Sequence, residues 1–160
     1  MDKSSRVLIH GAGVAGLTCA IWLGKHGFRP VVVEKAPEIR AAGGFIVCLA
    51  GAAHRFAGEL GLLTDLKAQD SDINASSYHD AKGSTLLHLD YPYLLSGVDF
   101  VQITRDALEN VLYDHAKDQA DYRFSVGAQK ITKNDSGVVQ VEFTDGKEEE
   151  FDVVIGTDEL

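Results

Sequence analysis

Apolar residues gather into short unbroken runs along this chain. Arg6-Val-Leu-Ile-His10, Val31-Val-Val-Glu34 and Phe151-Asp-Val-Val-Ile155 carry branched apolar side chains at consecutive positions, the composition of strands buried on both faces of a parallel sheet. Between the first two, Val14 to His26 holds Leu17, Ile21, Trp22 and Leu23 and stops at Gly27, which predicts a helix ended by glycine. Strand, helix and strand make one βαβ unit.

The middle of the chain has a different pattern. After Ala36-Pro37, residues 40–49 read as a loop running into an extended piece, and residues 51–69 read as helical with a break near Gly61. From Asp72 to Val101 short apolar runs alternate with turn residues at Ala81-Lys-Gly83 and Tyr91-Pro92, which predicts a small antiparallel sheet. Thr104 then opens a helix whose apolar positions, Ala107, Leu108, Val111, Leu112, His115 and Ala116, keep to one face of a 3.6-residue period. Strands follow at 122–126, 129–132 and 138–143, separated by turns at Asn134-Asp-Ser-Gly137 and Asp145-Gly146. The fold class is therefore α/β: a doubly wound parallel sheet with a small antiparallel insertion.

Composition narrows the function. In 160 residues, 24 Asp and Glu against 15 Lys and Arg leave a net charge of −9, and no basic cluster is present to neutralise phosphates, so a nucleic-acid surface is not expected. Hydrophobic residues at 45% support a packed core. No apolar run approaches the ~20 residues that span a bilayer, and Met1 to Arg6 is too polar for a signal peptide, so a cytoplasmic location away from membranes is expected. Cys19 and Cys48 are expected to be small buried thiols. The six histidines show no metal spacing, and no nucleophile has a partner at suggestive spacing. Neither a metal nor a catalytic side chain is predicted.

The chemistry-bearing stretch is Gly11-Ala-Gly-Val-Ala-Gly16, placed between the first strand and the first helix. Gly11 permits the tight turn, Gly13 lets backbone approach a pyrophosphate, and Gly16 lets helix and strand pack closely. The helix N-terminus then offers unpaired amides to an anion. Glu34, 18 residues beyond Gly16 at the end of the second strand, can accept hydrogen bonds from a ribose diol. A carboxylate there repels a 2′-phosphate, which leaves NAD and FAD as the dinucleotides for this site.

The residues after Glu34 do not look like those of a simple dehydrogenase. Glu34-Lys-Ala-Pro-Glu-Ile-Arg40, Gly43-Gly44, Glu59-Leu-Gly-Leu62, Gln102-Ile-Thr-Arg105 and Val153-Val-Ile-Gly-Thr-Asp158 together resemble the class A flavoprotein monooxygenases, relatives of para-hydroxybenzoate hydroxylase and of the tetracycline-inactivating monooxygenases. The resemblance spans the whole chain and implies a Rossmann-like FAD/NAD(P)-binding fold. By position it implies that Gly11, Gly13, Val14, Ala15 and Gly16 line the FAD pyrophosphate, with Glu34 on the adenosine ribose and Lys35 beside the adenine. Arg40 and Arg105 would place positive charge near the phosphates or ribityl chain, Gln102 would bond the same part of the cofactor, and backbone near Ala128 would edge the adenine. Read alone, the arginines suit surface pairs better than a cofactor role, Arg40 with Glu38 and Arg105 with Glu109, and it is the glycine motif that favours the cofactor role. Asp158 matches an aspartate tied to FAD and reduced nicotinamide, although Glu159 follows it where the family motif has glycine.

The resemblance further implies an NADPH- or NADH-driven hydroxylation of an aromatic or polyketide-like small molecule through a flavin C4a-hydroperoxide. Gly43-Gly44-Phe45 is a candidate for the flavin ring's neighbourhood or equally a plain turn, and Tyr78, Tyr91 and Tyr93 either face the substrate or serve as packing residues. The family's Gly-Asp motif and the rest of its substrate-covering sheet do not occur in this sequence. Residues 1–160 are therefore expected to be the N-terminal FAD-binding part of a longer enzyme, inactive alone, with about 70–103 on the substrate side and the C-terminal part as partner. Two alternatives stay open: an FAD- or NAD-dependent oxidoreductase without oxygen insertion, such as a reductase or halogenase, and a stand-alone dinucleotide-binding module.

Overall fold

A computed structural model describes residues 5–39, 45–133 and 137–157. In chain order the elements are β1 (Val7–His10), α1 (Val14–Lys25), β2 (Val31–Glu34), β3 (Ile46–Ala50), α2 (Gly51–Leu60), α3 (Leu63–Ala68), β4 (Ala75–His79) and β5 (Thr85–Asp90). There follow α4 (Tyr91–Leu94), β6 (Phe100–Thr104), α5 (Arg105–Ala116), β7 (Asp121–Phe124), β8 (Ala128–Lys133), β9 (Val139–Phe143), β10 (Glu148–Phe151) and β11 (Val153–Gly156). They form two compact units, one of residues 1–42 and 106–160, the other of residues 43–105.

The larger unit is built on a parallel sheet in the order β11-β1-β2-β7. Leu8 faces Val154 on one side and Val31 on the other, and Val32 faces Tyr122. Val7, Leu8, Ile9, Val32 and Val33 are at most 1% exposed, which is why these strands are apolar at every position rather than alternating. The parallel sheet and the α/β class read from the sequence are both present. Helix α1 buries Gly16, Leu17, Ala20 and Ile21, and α5 buries Leu108, Val111, Leu112 and Ala116.

Three antiparallel strands, in the order β10-β9-β8, complete this unit. Phe143 and Phe151 meet edge to face at 6.2 Å and join Leu8, Val33 and Val141 in one buried cluster. Here the structure corrects the sequence reading. Phe151 ends β10 rather than opening β11, and β10 itself, the acidic run Glu148-Glu149-Glu150-Phe151, was not expected to be a strand. Two arginines explain it. The Arg6 guanidinium lies 4.8 Å from the Phe151 ring centre and donates to Glu149 at 2.7 Å, while Arg123 lies 5.7 Å from the Phe143 ring centre and donates to the other Glu149 oxygen at 2.5 Å. The expected strand 122–126 likewise stops at Phe124, because Ser125 takes a left-handed φ of 58°.

The smaller unit holds two antiparallel pairs, β3 with β6 and β4 with β5. It begins at Gly43 and so takes in β3, α2 and α3 as well as the hairpin. Helices α2 and α3 are separated at Gly61-Leu62, where the break was expected. Tyr91-Pro92, read as a turn, instead opens the short helix α4, because the Asp90 carboxylate accepts from the Tyr93 amide at 2.8 Å and proline suits a first helical turn. Cys48 is exposed and Cys19 half-buried, against the expectation of two buried thiols.

Two outcomes follow from the phenyl pair and its arginines. Phe151→Ala will lower unfolding free energy in urea by roughly 3–5 kcal/mol, whereas truncating the exposed Ile131 will change it by no more than about 0.5 kcal/mol. Hydrogen bonds from Arg123 and then Arg6 hold the Glu149 carboxyl below its usual 4.5, so its contribution is present above that pH and is lost as pH falls through the depressed value. Glu149→Gln will flatten the acid limb of a thermal-midpoint against pH profile.

Candidate functional site

The glycine turn lies where β1 ends and α1 begins. The Gly11 amide donates to the Val33 carbonyl at 2.8 Å with φ at 108°, a left-handed conformation that favours glycine. A Cβ on Gly16 would stand 1.9 Å from the Gly11 carbonyl oxygen. No side chain fits between the helix and the turn, so the close packing expected of Gly16 is a steric requirement. Gly13 differs, since a Cβ there would meet nothing within 4 Å. It stands at the N-cap of α1 in extended conformation with no side chain closing the helix end. Helix geometry leaves the first amides after it, those of Val14, Ala15 and Gly16, without intrahelical acceptors. The result is a small open cradle of donors at the positive end of a helix dipole.

Glu34 fixes this turn. One carboxylate oxygen accepts the Ala12 amide at 2.8 Å and the other accepts the Ala36 amide at 2.8 Å. The ends of the turn and of β2 are thereby tied through one side chain. Each oxygen has a second lone pair, so the carboxylate retains capacity for a hydroxyl donor.

Beyond Glu34 the wall continues through Lys35, Gly127 and Ala128. The Val126 amide donates to the Glu34 carbonyl at 3.0 Å, and the Gly127 amide donates to the Thr144 hydroxyl at 3.1 Å. A Cβ on Gly127 would come 3.0 Å from Lys35 Cγ and 3.5 Å from His10 Nε2. Gly127 therefore lets the Lys35 stem cross the strand ends. The structure thus brings Gly11, Gly13, Val14, Ala15, Gly16, Glu34, Lys35 and Ala128 into one unit. Arg40, Gly43, Gly44 and Asp158 lie outside the described residues.

Gln102 and Arg105 belong to the smaller unit. The Arg105 amide donates to the Phe45 carbonyl at 3.1 Å, and its guanidinium lies 5.9 Å from the exposed Phe45 ring. The Gln102 side chain is 5% exposed, and its Oε1 has no hydrogen-bond partner among the described residues. Tyr78 and Tyr93 are exposed at 58% and 80%.

Sequence reasoning missed three contributors. Thr157 donates its amide to the His10 carbonyl at 2.9 Å, and its hydroxyl lies 2.9 Å from that oxygen and 3.0 Å from the Gly11 carbonyl. It pins the last residue of β1 and the first of the turn across 147 residues of sequence, a separation at which no spacing rule applies. His10 and Gly127 were equally silent, because a lone histidine and a lone glycine carry no pattern. Among the described residues no group of histidine, cysteine and carboxylate side chains could hold a metal ion.

Replacing Glu34 by glutamine sets an NH₂ donor against one of two N–H donors, so Glu34→Gln will cost about 1–3 kcal/mol of stability. Thr157→Val will cost about 1 kcal/mol, and Gly16→Ala about 1–3 kcal/mol by overpacking. Chemical denaturation of the three variants measures these losses.

Comparison with known proteins agrees with this geometry. Residues 4–157 match a family model described as FAD binding domain. A flavin-dependent monooxygenase from an unknown prokaryotic organism is 32% identical over 160 residues, covering 99% of this chain and 40% of its own length. A flavin-dependent monooxygenase of Legionella longbeachae shows the same identity and the same coverage. Among solved structures, the tetracycline destructase Tet(55) superposes with a TM-score of 0.85 at 30% identity, over all of this chain and 40% of that one. The chain thus spans about two fifths of the length of the curated relatives it matches. Because the match runs through both compact units and not the glycine turn alone, the chain belongs to the family of FAD binding domains.

Proposed function

We infer that this chain is the N-terminal FAD-binding part of a longer NADPH- or NADH-dependent flavin monooxygenase that acts on a small aromatic or polyketide-like molecule. The observation that carries the reading is the open cradle over Gly13, closed on its protein side by the Gly16 contact and held in place by Glu34. The residues fit the cofactor. Amides of Val14, Ala15 and Gly16 would donate to the pyrophosphate, the unused Glu34 lone pairs would accept from the adenosine ribose, and the Lys35 stem across Gly127, with Ala128 beyond it, would flank the adenine. Arg40, Gln102, Arg105 and Asp158 are proposed to complete the cofactor's surroundings, and residues 70–103 to lie on the substrate side.

When bound, FAD supplies the redox chemistry, taking two electrons from the nicotinamide and passing them to dioxygen, one atom of which enters the substrate. This chain's own part is to bind and orient. Preset amides at a helix end cost no reorganisation when an anion arrives, and a carboxylate already fixed by two amides holds the ribose without losing side-chain freedom. No side-chain nucleophile is needed for such chemistry, and the sequence offers none with a suitable partner.

Gly13 separates binding from folding. Because its Cβ direction is open, Gly13→Val will change unfolding free energy by no more than about 1 kcal/mol, while its methyl groups fill the cradle and weaken FAD binding by ~10-fold or more. Equilibrium titration of flavin fluorescence measures the affinity. Full FAD affinity in a folded Gly13→Val protein would contradict the proposed site.

A further inference from the structure

His10 ends β1 and is paired on both sides, with Val33 of β2 and with Gly156 of β11. Its carbonyl accepts the Thr157 amide at 2.9 Å and lies 2.9 Å from the Thr157 hydroxyl. The backbone that carries the imidazole is therefore fixed.

Alternation along the strand sets where the ring goes. Leu8, two residues earlier and on the same face of β1, packs in the cluster with Val141, Phe143 and Phe151. His10 continues that face beyond the cluster, and its Nε2 lies 3.5 Å from the point where a Cβ on Gly127 would stand. Lys35 Cγ and Cε come within 3.0 Å and 3.2 Å of the same point. Imidazole and lysine stem thus converge at Gly127, on the side of the cradle proposed for the adenine, and glycine there makes room for both.

The main chain at this place has no amide to give a base. The Val126 amide is spent on the Glu34 carbonyl at 3.0 Å and the Gly127 amide on the Thr144 hydroxyl at 3.1 Å, while the Gly127 carbonyl accepts the Thr144 amide at 2.9 Å. Adenine carries ring nitrogens that accept hydrogen bonds. An acceptor pressed against a wall without donors loses its water and gains nothing in return, so the donor has to come from a side chain. Lys35 must order a long flexible stem to bring an ammonium to that spot, whereas the imidazole is short, stands on a fixed strand end and carries an N–H.

The geometry points to His10 as the residue that reads the nucleobase, an inference that rests on the FAD-binding role proposed for the glycine turn: Nε2–H donates to one ring nitrogen of the adenine, while the Lys35 stem flanks the ring. His10 lies outside the set of residues that the family resemblance implies. It makes the site selective for a base that presents an acceptor at that position.

ADP carries the adenosine and pyrophosphate half of FAD, and its 1-deaza, 3-deaza and 7-deaza analogues each lack one ring-nitrogen acceptor. Equilibrium titration of this chain with the four nucleotides, and with FAD, tests the assignment. One analogue is expected to bind ~5–10-fold more weakly than ADP, the loss that one hydrogen bond accounts for, and the other two about as well as ADP. In His10→Leu, ADP is expected to fall to the level of that one analogue, so that the two bind alike. His10→Gln keeps an N–H donor and is expected to recover part of the difference. A histidine with a merely structural role would weaken all four nucleotides together and leave their ratios unchanged. On the unsubstituted protein, ADP is expected to shift the NMR signal of the His10 Nε2 nitrogen, and the weak analogue to leave it unmoved. Equal binding of all four nucleotides, an unmoved His10 signal with ADP, or unchanged ratios in folded His10→Leu would each overturn the role of His10 and leave the FAD site standing. Failure of both ADP and FAD to bind would overturn the two together. Should His10→Leu not fold, the nucleotide series and the His10 signal of the unsubstituted protein decide.

Discussion

The carboxylate of Glu34, at the end of β2, reaches across to the glycine turn. It takes the Ala12 amide on one oxygen and the Ala36 amide on the other, so the turn after β1 and the chain leaving β2 are held by a single side chain. Two further contacts act on the same few atoms. Gly16 lies against the Gly11 carbonyl at a distance no other residue permits, and Thr157 ties the His10 and Gly11 carbonyls to the end of β11. These contacts preset the donors at the start of α1, and the open space over Gly13 is their consequence.

The rest of the larger unit serves to keep those strand ends in register. Leu8 and Val33, from β1 and β2, share a buried cluster with Val141, Phe143 and Phe151 of the antiparallel strands. Packing in that cluster is transmitted to the turn because β1 and β2 end at it. The arginine pair on Glu149 acts at the rim of the cluster, where guanidinium groups cover the phenyl rings and neutralise an acidic strand. Charge otherwise unsuited to a strand is thereby accommodated beside the core.

What the sequence revealed, and what it hid, divides along physical lines. The βαβ unit was legible because burial on both faces forces continuous apolar runs, and because a turn with no room for Cβ must be glycine. Glu34 was legible from its place at a strand end. By contrast, β10 was hidden since a run of glutamates opposes strand formation unless arginines from distant strands meet it, and α4 was hidden since Pro92 reads as a turn unless Asp90 caps the amide that follows. Thr157, His10 and Gly127 act through contacts made only after the chain has folded. The setting of Gln102 belongs to the same class: nothing in Gln102-Ile-Thr-Arg105 indicates that the first side chain is buried, its Oε1 without a partner among the described residues.

Backbone amide chemical shifts during an FAD titration read the glycine cradle residue by residue. The largest shifts are expected on Ala12 to Leu17, with a second group at Glu34, Lys35 and Gly127, where the cradle and the proposed adenine side lie. FAD binding that leaves Val14, Ala15 and Gly16 unmoved while shifting amides elsewhere would contradict the proposed cradle.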